Sequence, residues 1–247
     1  MEVILIFCIC TVSGFLTGLL GVGGGMIIVP LFLCVLPLFG IKFSLQEIVG
    51  ISATCVFINS AVTTFYRRKE KFLPFSSIAP IVFSIIAGTI SGAYLSDFAP
   101  EIIILWIYIC VSLFSIYMLN GEIYFNLKNK FFVYVLFAFI GAISSSIGIG
   151  GAVLFATVLK CFWGKNTKEL LPTITILVLS HAFFAFASKF ALGHVTLTII
   201  PIAFVASLVG SKIGVIVSKK LTAKTLNILM STVLILGLIK IVHEMFL

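Results

Sequence analysis

Charge is the scarcest commodity in this chain. Asp, Glu, Lys and Arg make up 10% of its 247 residues and hydrophobic residues 61%, whereas an ordinary soluble domain is about a quarter charged. A water-soluble domain is thereby excluded. Between Val3 and Ile41 there is no charged residue. Apolar runs of roughly 18 residues or more, the length that spans a bilayer as a helix, recur along the chain. Sustained alternation at a period of two is missing, which argues against an outer-membrane barrel. HExxH, P-loop and CxxC motifs are also missing, so no metal, nucleotide or other cofactor is expected. The six cysteines (Cys8, Cys10, Cys34, Cys55, Cys110 and Cys161) lie in or at the ends of apolar segments and read as small buried thiols. Glu2 stands where a signal peptide would carry its basic region, so the first segment is not read as one.

The net charge is +8. The cations fall in short stretches between apolar segments, where they report membrane topology rather than affinity for nucleic acid. The bilayer is the expected partner, and nucleic acid is not.

What the chain has in abundance is glycine at two places. Residues 14–30 read GFLTGLLGVGGGMIIVP. Gly23, Gly24 and Gly25 in succession should stop a helix, each costing about 1 kcal/mol relative to Ala. In lipid, a broken helix strands backbone N–H and C=O groups and survives only where protein or a wet cavity covers them. The next half-helix then aims free N–H groups and a partial positive charge into that cavity, a setting that suits an anion. Close helix packing through small residues explains a single such cluster equally well. The cluster, however, occurs twice: Gly21-Val22-Gly23-Gly24-Gly25 returns as Gly148-Ile149-Gly150-Gly151-Ala152, 127 positions later, and Gly14 returns as Gly141. Broken helices at corresponding places of two halves point to a transporter binding site.

The pattern predicts an all-α integral membrane protein with about eight hydrophobic segments, near 3–36, 47–66, 72–96, 102–119, 130–162, 169–190, 195–218 and 223–246. The first and fifth are the broken ones. Pro80 matches Pro201, and Gly88-x-x-x-Gly92 matches Gly210-x-x-x-Gly214. The expected organisation is therefore a first transmembrane repeat over 1–121, a linker over 122–130 and a second repeat over 131–247.

Loop charges orient the repeats. Arg67, Arg68, Lys69 and Lys71 place one end of the first repeat in the cytoplasm, and Asp97 and Glu101 mark the opposite end. In the second repeat Lys219, Lys220 and Lys224 place the corresponding loop on the other side, with Lys189 near His194 the one cation against this scheme. The repeats are thus expected to be inverted. Inversion needs an odd number of crossings per four-element unit, so one element should re-enter. The first, about 50 Å long as a single helix, is the natural one, folded as a hairpin. Lys128 and Lys130, with Lys160, Lys165 and Lys168, put both ends of the second hairpin inside. The alternative is that one arm of the hairpin crosses fully.

Polar groups at membrane depth are costly and mark function. Ser52, Asn59 and Thr63 share one face of the second segment. A shift of 121 sets Ser52 on Thr173 and Asn59 on Ser180. These stripes read either as substrate donors facing the glycine breaks or as ordinary interhelical hydrogen bonds. Thr17 and Ser144 stand one turn before the two breaks and offer hydroxyls. His181 is the one histidine deep in a segment; it reads either as a carrier of coupled protons or as a neutral hydrogen-bonding group. Lys212 reads as a snorkelling cation. Ser145 or Ser146 with His181 suggests a hydrolase, but no G-x-S-x-G elbow and no mid-segment carboxylate accompany them, so an enzyme is not expected.

The run Gly14-x-x-x-Gly18-Leu-Leu-Gly-Val-Gly-Gly-Gly-Met-Ile-Ile-Val-Pro30 resembles the first signature of the sulfite exporter TauE/SafE family, and Gly141 to Ala152 resembles that family's internal repeat. The second copy departs where Ala152 replaces the third glycine and Thr157 stands in place of Pro30. The resemblance implies a multi-pass plasma-membrane permease for a small anion, sulfite, a sulfonate or a related organosulfur anion, often exported; a homo-oligomer is compatible with it. From the residues alone, the expected site is Gly23, Gly24 and Gly25 opposite Gly150, Gly151 and Ala152, completed by Asn59, Ser180, Thr17 and Ser144, with His181 for proton coupling. A passive anion channel and a membrane assembly subunit that transports nothing are the alternatives.

Overall fold

The structure is a computed structural model. It describes residues 2–21, 24–35, 37–40, 43–120, 130–164 and 167–246. Gly23, Lys128, Lys165 and all of the expected linker except Lys130 lie outside these residues.

Among the described residues the chain is helical throughout: α1 (Glu2–Leu20), α2 (Gly25–Val35), α3 (Leu45–Arg67), α4 (Phe75–Phe98), α5 (Glu101–Asn120), α6 (Lys130–Ile147), α7 (Ala152–Trp163), α8 (Thr167–Ala191), α9 (Ile199–Lys220) and α10 (Ala223–Phe246), with one 3-10 turn at Pro37–Phe39. The protein is all-α. Six helices, α1, α3, α4, α6, α8 and α9, are long and apolar enough to cross a membrane, and α5 and α10 carry shorter apolar stretches. Each of the two broken segments is a long arm and a short one. At 1.5 Å per residue the 19 residues of α1 rise about 28 Å and the 11 of α2 about 16 Å.

Local chemistry sets the helix ends. Ser44 accepts from the Glu47 amide while Glu47 accepts from the Ser44 amide at 2.8 Å, a capping box that starts α3. Pro74 and Pro100, which have no N–H to lose, immediately precede α4 and α5. Gly193, at φ +80°, closes α8: the His194 amide returns to the Lys189 carbonyl and the Gly193 amide to that of Phe190, each at 3.0 Å.

Small residues set which helices pair. A Cβ on Gly88 or Gly92 of α4 would overlap the backbone of Ala138 or Ala142 of α6. A Cβ on Gly210 or Gly214 of α9 would overlap that of Thr11 or Phe15 of α1. Both pairs run parallel, and both depend on backbones approaching closer than any side chain permits. Cross-links between neighbours set the remaining directions. Asn59 and Arg67 of α3 meet Ser13 and Gly18 of α1, and Thr89 and Ser96 of α4 meet His181 and Lys189 of α8. Gln46 of α3 meets Lys189 of α8. Thus α1, α3 and α9 point one way, α4, α6 and α8 the other, and α3 lies antiparallel to α8 at the centre.

The two ends differ in their charges. Arg67, Arg68, Lys168 and Lys219 gather at one end, where Glu70 pairs with Arg67 and Lys219, and Lys168 donates to the carbonyls of Lys219 and Leu221. Glu47, Asp97, Glu101 and His194 gather at the other, where His194 pairs with Asp97. These are called the basic and acidic ends below. Lys189 is not a loop cation, as its place near His194 suggested, but a buried residue of the last turn of α8. The outer surface carries Phe83, Trp106, Phe131 and Phe139, as a lipid-facing surface requires. Cys8 and Cys110 also lie on it, contrary to the expectation of burial; Cys10 and Cys55 are buried with their sulfurs 3.5 Å apart.

Candidate functional site

The two glycine breaks touch. A Cβ on Gly25 would overlap the Gly148 carbonyl oxygen and press on the carbonyl carbon of Ile149 and on Val56, near the middle of α3. The tips also pass one another. Gly21 lies against Leu171, Ile174 and Thr175 in the basic-end half of α8, while Gly148 lies against Val49 in the acidic-end half of α3.

Glycine is required at several tip positions. Gly24, Gly150 and Gly151 have φ of +75°, +76° and +64°, a region that residues with a Cβ enter only with strain. Space forbids substitution too: a Cβ on Gly24 would run into Ser13 and Thr17, and one on Gly151 would stand 2.9 Å from the Ser144 hydroxyl.

On the acidic-end side of this contact lies a cavity of about 10 Å³, lined by Ala53, Val56, Ser144, Ser145, Gly148, Gly150, His181, Ala182 and Ala185. That is about the room one water needs. Three features give it anion chemistry. Helix α7 begins beside it, with Gly151 at its N-cap and no side chain capping it, so its first amides and the positive end of its dipole lie next to the site. Ser144 and Ser145 are buried, and their hydroxyls have no hydrogen-bond partner among the described residues. His181 completes the lining. Its Nδ1 lies 2.6 Å from the Thr89 hydroxyl, which itself donates to the Ile85 carbonyl at 2.7 Å. With the Thr89 proton committed to Ile85, Nδ1 is the protonated nitrogen of the neutral ring and Nε2 its acceptor.

The expected residues divide. Gly150, Ser144 and His181 line the cavity. Gly25, Gly151 and Ala152 form the tips around it, with Ala152 fully buried as the first residue of α7. Gly24, Thr17 and Asn59 form a second cluster at the other tip: Asn59 donates to the Ser13 hydroxyl at 2.9 Å, and Thr17 donates to the Ser13 carbonyl at 2.8 Å. Ser180 joins neither. Half-buried, it donates back to the Ile176 carbonyl at 3.0 Å. A shift of 122 rather than 121 sets His181 on Asn59, and both are buried.

Ser52 closes an orphan of the break, donating to the Gly148 carbonyl at 2.6 Å. Ser146 donates to the carbonyls of Gly92 and Ala142, so it belongs to the α4–α6 contact. Lys212 is exposed on α9, away from the cavity lining. Sequence reasoning missed Ser13, Thr89 and Tyr108. Tyr108 was legible in principle, because Pro30 cannot donate to the Met26 carbonyl and that acceptor needed another partner; the Tyr108 hydroxyl supplies it at 2.8 Å.

Known proteins resemble this chain along nearly its whole length. The family model described as sulfite exporter TauE/SafE matches residues 6–241. Probable membrane transporter protein MJ0441 of Methanocaldococcus jannaschii is 24% identical over 262 aligned positions, covering 96% of this chain and 96% of its own length. Probable membrane transporter protein YunE of Bacillus subtilis is 23% identical over 274, covering 99% and 98%. No solved structure matches.

Proposed function

Because the chain belongs to the sulfite exporter TauE/SafE family of membrane transporters, we propose that this multi-pass permease is a secondary transporter for a small oxyanion. Sulfite, a sulfonate or a related organosulfur anion is the substrate class, and export by alternating access is the mode. The observation that carries the reading is the cavity where the two breaks meet: an uncapped helix start, two unpartnered serine hydroxyls and one histidine around a single small space. The helix start and the two serines donate hydrogen bonds to an anion without placing a fixed charge against it, so that binding remains weak enough for release.

Two inverted repeats are part of the proposal. Its support is the exchange of partners between halves, with Gly88 and Gly92 on Ala138 and Ala142 and Gly210 and Gly214 on Thr11 and Phe15. So is proton coupling through His181. Neutral, with Nδ1 on Thr89, it offers the cavity only a lone pair; protonated at Nε2, it becomes a donor. An anion and a proton would then bind better together than apart.

The test is sulfite flux into proteoliposomes with and without an imposed pH gradient, against chloride, sulfate and taurine. Saturable sulfite flux that responds to the gradient in the wild type, and loses that response in His181→Ala and His181→Gln, is expected. Non-saturating flux without counterflow favours the passive channel, and absence of any anion flux refutes the reading.

A further inference from the structure

Among the described residues only two charged side chains are buried, Arg67 and Lys189, at 2% and 0% exposure. A buried charge costs several kcal/mol unless it is paired and hydrogen-bonded, so each calls for a reason. Arg67 has an ion pair with Glu70 at 2.9 Å. Lys189 makes no ion pair among the described residues. Neutral oxygens hold it instead: Gln46 Oε1 at 2.7 Å and Ser96 Oγ at 3.0 Å, while Gln46 donates to the Ser96 carbonyl at 2.7 Å.

The two cations stand at matching places. Arg67 and Lys189 are 122 positions apart, and so are their partners Ser96 and Ser218. Arg67 Nη2 donates to Ser218 Oγ at 2.8 Å, as Lys189 does to Ser96. One side chain ties α3 to α9 near the basic end; the other ties α8 to α4 near the acidic end. Each keeps a donor in hand. Arg67 Nε has no partner, and the ammonium of Lys189 has three donors for two acceptors.

Both also lie in line with the breaks. On α8 the face of Lys189 runs through Ala185 to His181, four and eight residues away, or about 6 and 12 Å of helix. Ala185 and His181 line the cavity. On α3 the face of Arg67 runs through Thr63 to Asn59 at the same spacing, and the buried Thr63 hydroxyl has no partner. Asn59 leads to Ser13, which lies against Gly24.

We propose that Lys189 and Arg67 are the anion-contacting residues at the two ends of the permeation path. Each holds its end shut through a serine of the neighbouring helix and, as that end opens, exchanges the serine for an oxygen of the translocated anion. This rests on the alternating-access reading above. It adds that anion selectivity is decided at the ends by fixed cations, while the cavity between them supplies neutral donors. A protein-buried ammonium whose hydrogen bonds go to an amide and a hydroxyl, with the Asp97 carboxylate near but not in contact, is poised for such an exchange, because an oxyanion is a better hydrogen-bond partner than either.

The test uses sulfite flux in oriented proteoliposomes, with the half-saturation concentration measured from each side. Lys189→Gln should raise it at least tenfold for sulfite presented at the acidic end and leave it within twofold at the basic end. Lys189→Arg should restore most of the difference. Arg67→Gln should show the opposite sidedness, and Arg67→Lys, which keeps the charge, covers the case in which the glutamine variant does not fold. Wild-type flux that saturates, with Lys189→Gln changing only maximal flux or changing both sides alike, overturns this assignment alone. A wild type that moves no anion overturns the transporter reading and the assignment with it.

Discussion

Pro30 has no amide hydrogen, so four residues earlier the Met26 carbonyl has no helical partner. The Tyr108 hydroxyl of α5 reaches it at 2.8 Å, and Gly237 of α10 makes room. Tyr108→Phe removes that donor and keeps the ring. An interhelical hydrogen bond in a membrane protein averages about 0.6 kcal/mol, and an orphaned buried acceptor costs about 1–3. The variant should therefore lose about 1 kcal/mol in a reversible unfolding titration, with flux retained; unchanged stability would show that the carbonyl finds another donor. The same scale separates Asn59 from Ser180. Asn59→Ala strips Ser13 of its partner beside Gly24 and should cut sulfite flux severalfold. Ser180→Ala touches only the Ile176 carbonyl of its own helix and should transport as the wild type does. Equal effects of the two would remove Asn59 from the second tip.

At the scale of the element, the breaks are the feature the sequence displays most openly, and two kinds of constraint overlap there. Gly24 and Gly151 have positive φ and neighbours that leave no space for a side chain. Gly164 has positive φ, +62°, as the C-cap of α7 but nothing within 4 Å of a Cβ. Gly24→Leu and Gly151→Leu should abolish sulfite flux while the protein still inserts, read by membrane yield and size-exclusion profile. Gly164→Ala should cost about 1 kcal/mol of backbone strain and leave flux intact. Normal flux in both leucine variants would mean that the meeting of the breaks is not the site. The glycine runs and their 127-residue spacing were readable because a helix stop is a local, backbone event. The cation positions were not. In sequence Arg67 looks like the first of a loop cluster and Lys189 like a stray charge near a turn. Their burial depends on Ser218 and Ser96, each contributed by a different helix. Sequence alone leaves both Ser180 and His181 as counterparts of Asn59 for a similar reason, since a stripe of hydroxyls does not fix helix register.

Among the described residues, three long helices run each way around the contact of the two breaks, and a small cavity lies on its acidic-end side. Under the proposed repeat, at a shift of 122, the cavity-lining residues Ala185 and His181 fall on Thr63 and Asn59. There Asn59 is bonded to Ser13. The cavity, with room for about one water, is too small for sulfite, so the binding form must be wider than this one. If one half rocks against the other, widening toward the acidic end closes the basic end, and the reverse. Single cysteines at Ala185 and at Thr63, in a background lacking the native six, would report this through labelling by a membrane-impermeant thiol reagent applied from each side. Conditions that raise labelling of Ala185→Cys from the acidic end should lower that of Thr63→Cys from the basic end, and saturating sulfite should shift the two in opposite directions. A passive channel predicts that both rise together, because its path is open at both ends at once. A rigid assembly subunit predicts that neither responds to sulfite. Reciprocal labelling is the outcome that requires a single site reached alternately from two ends.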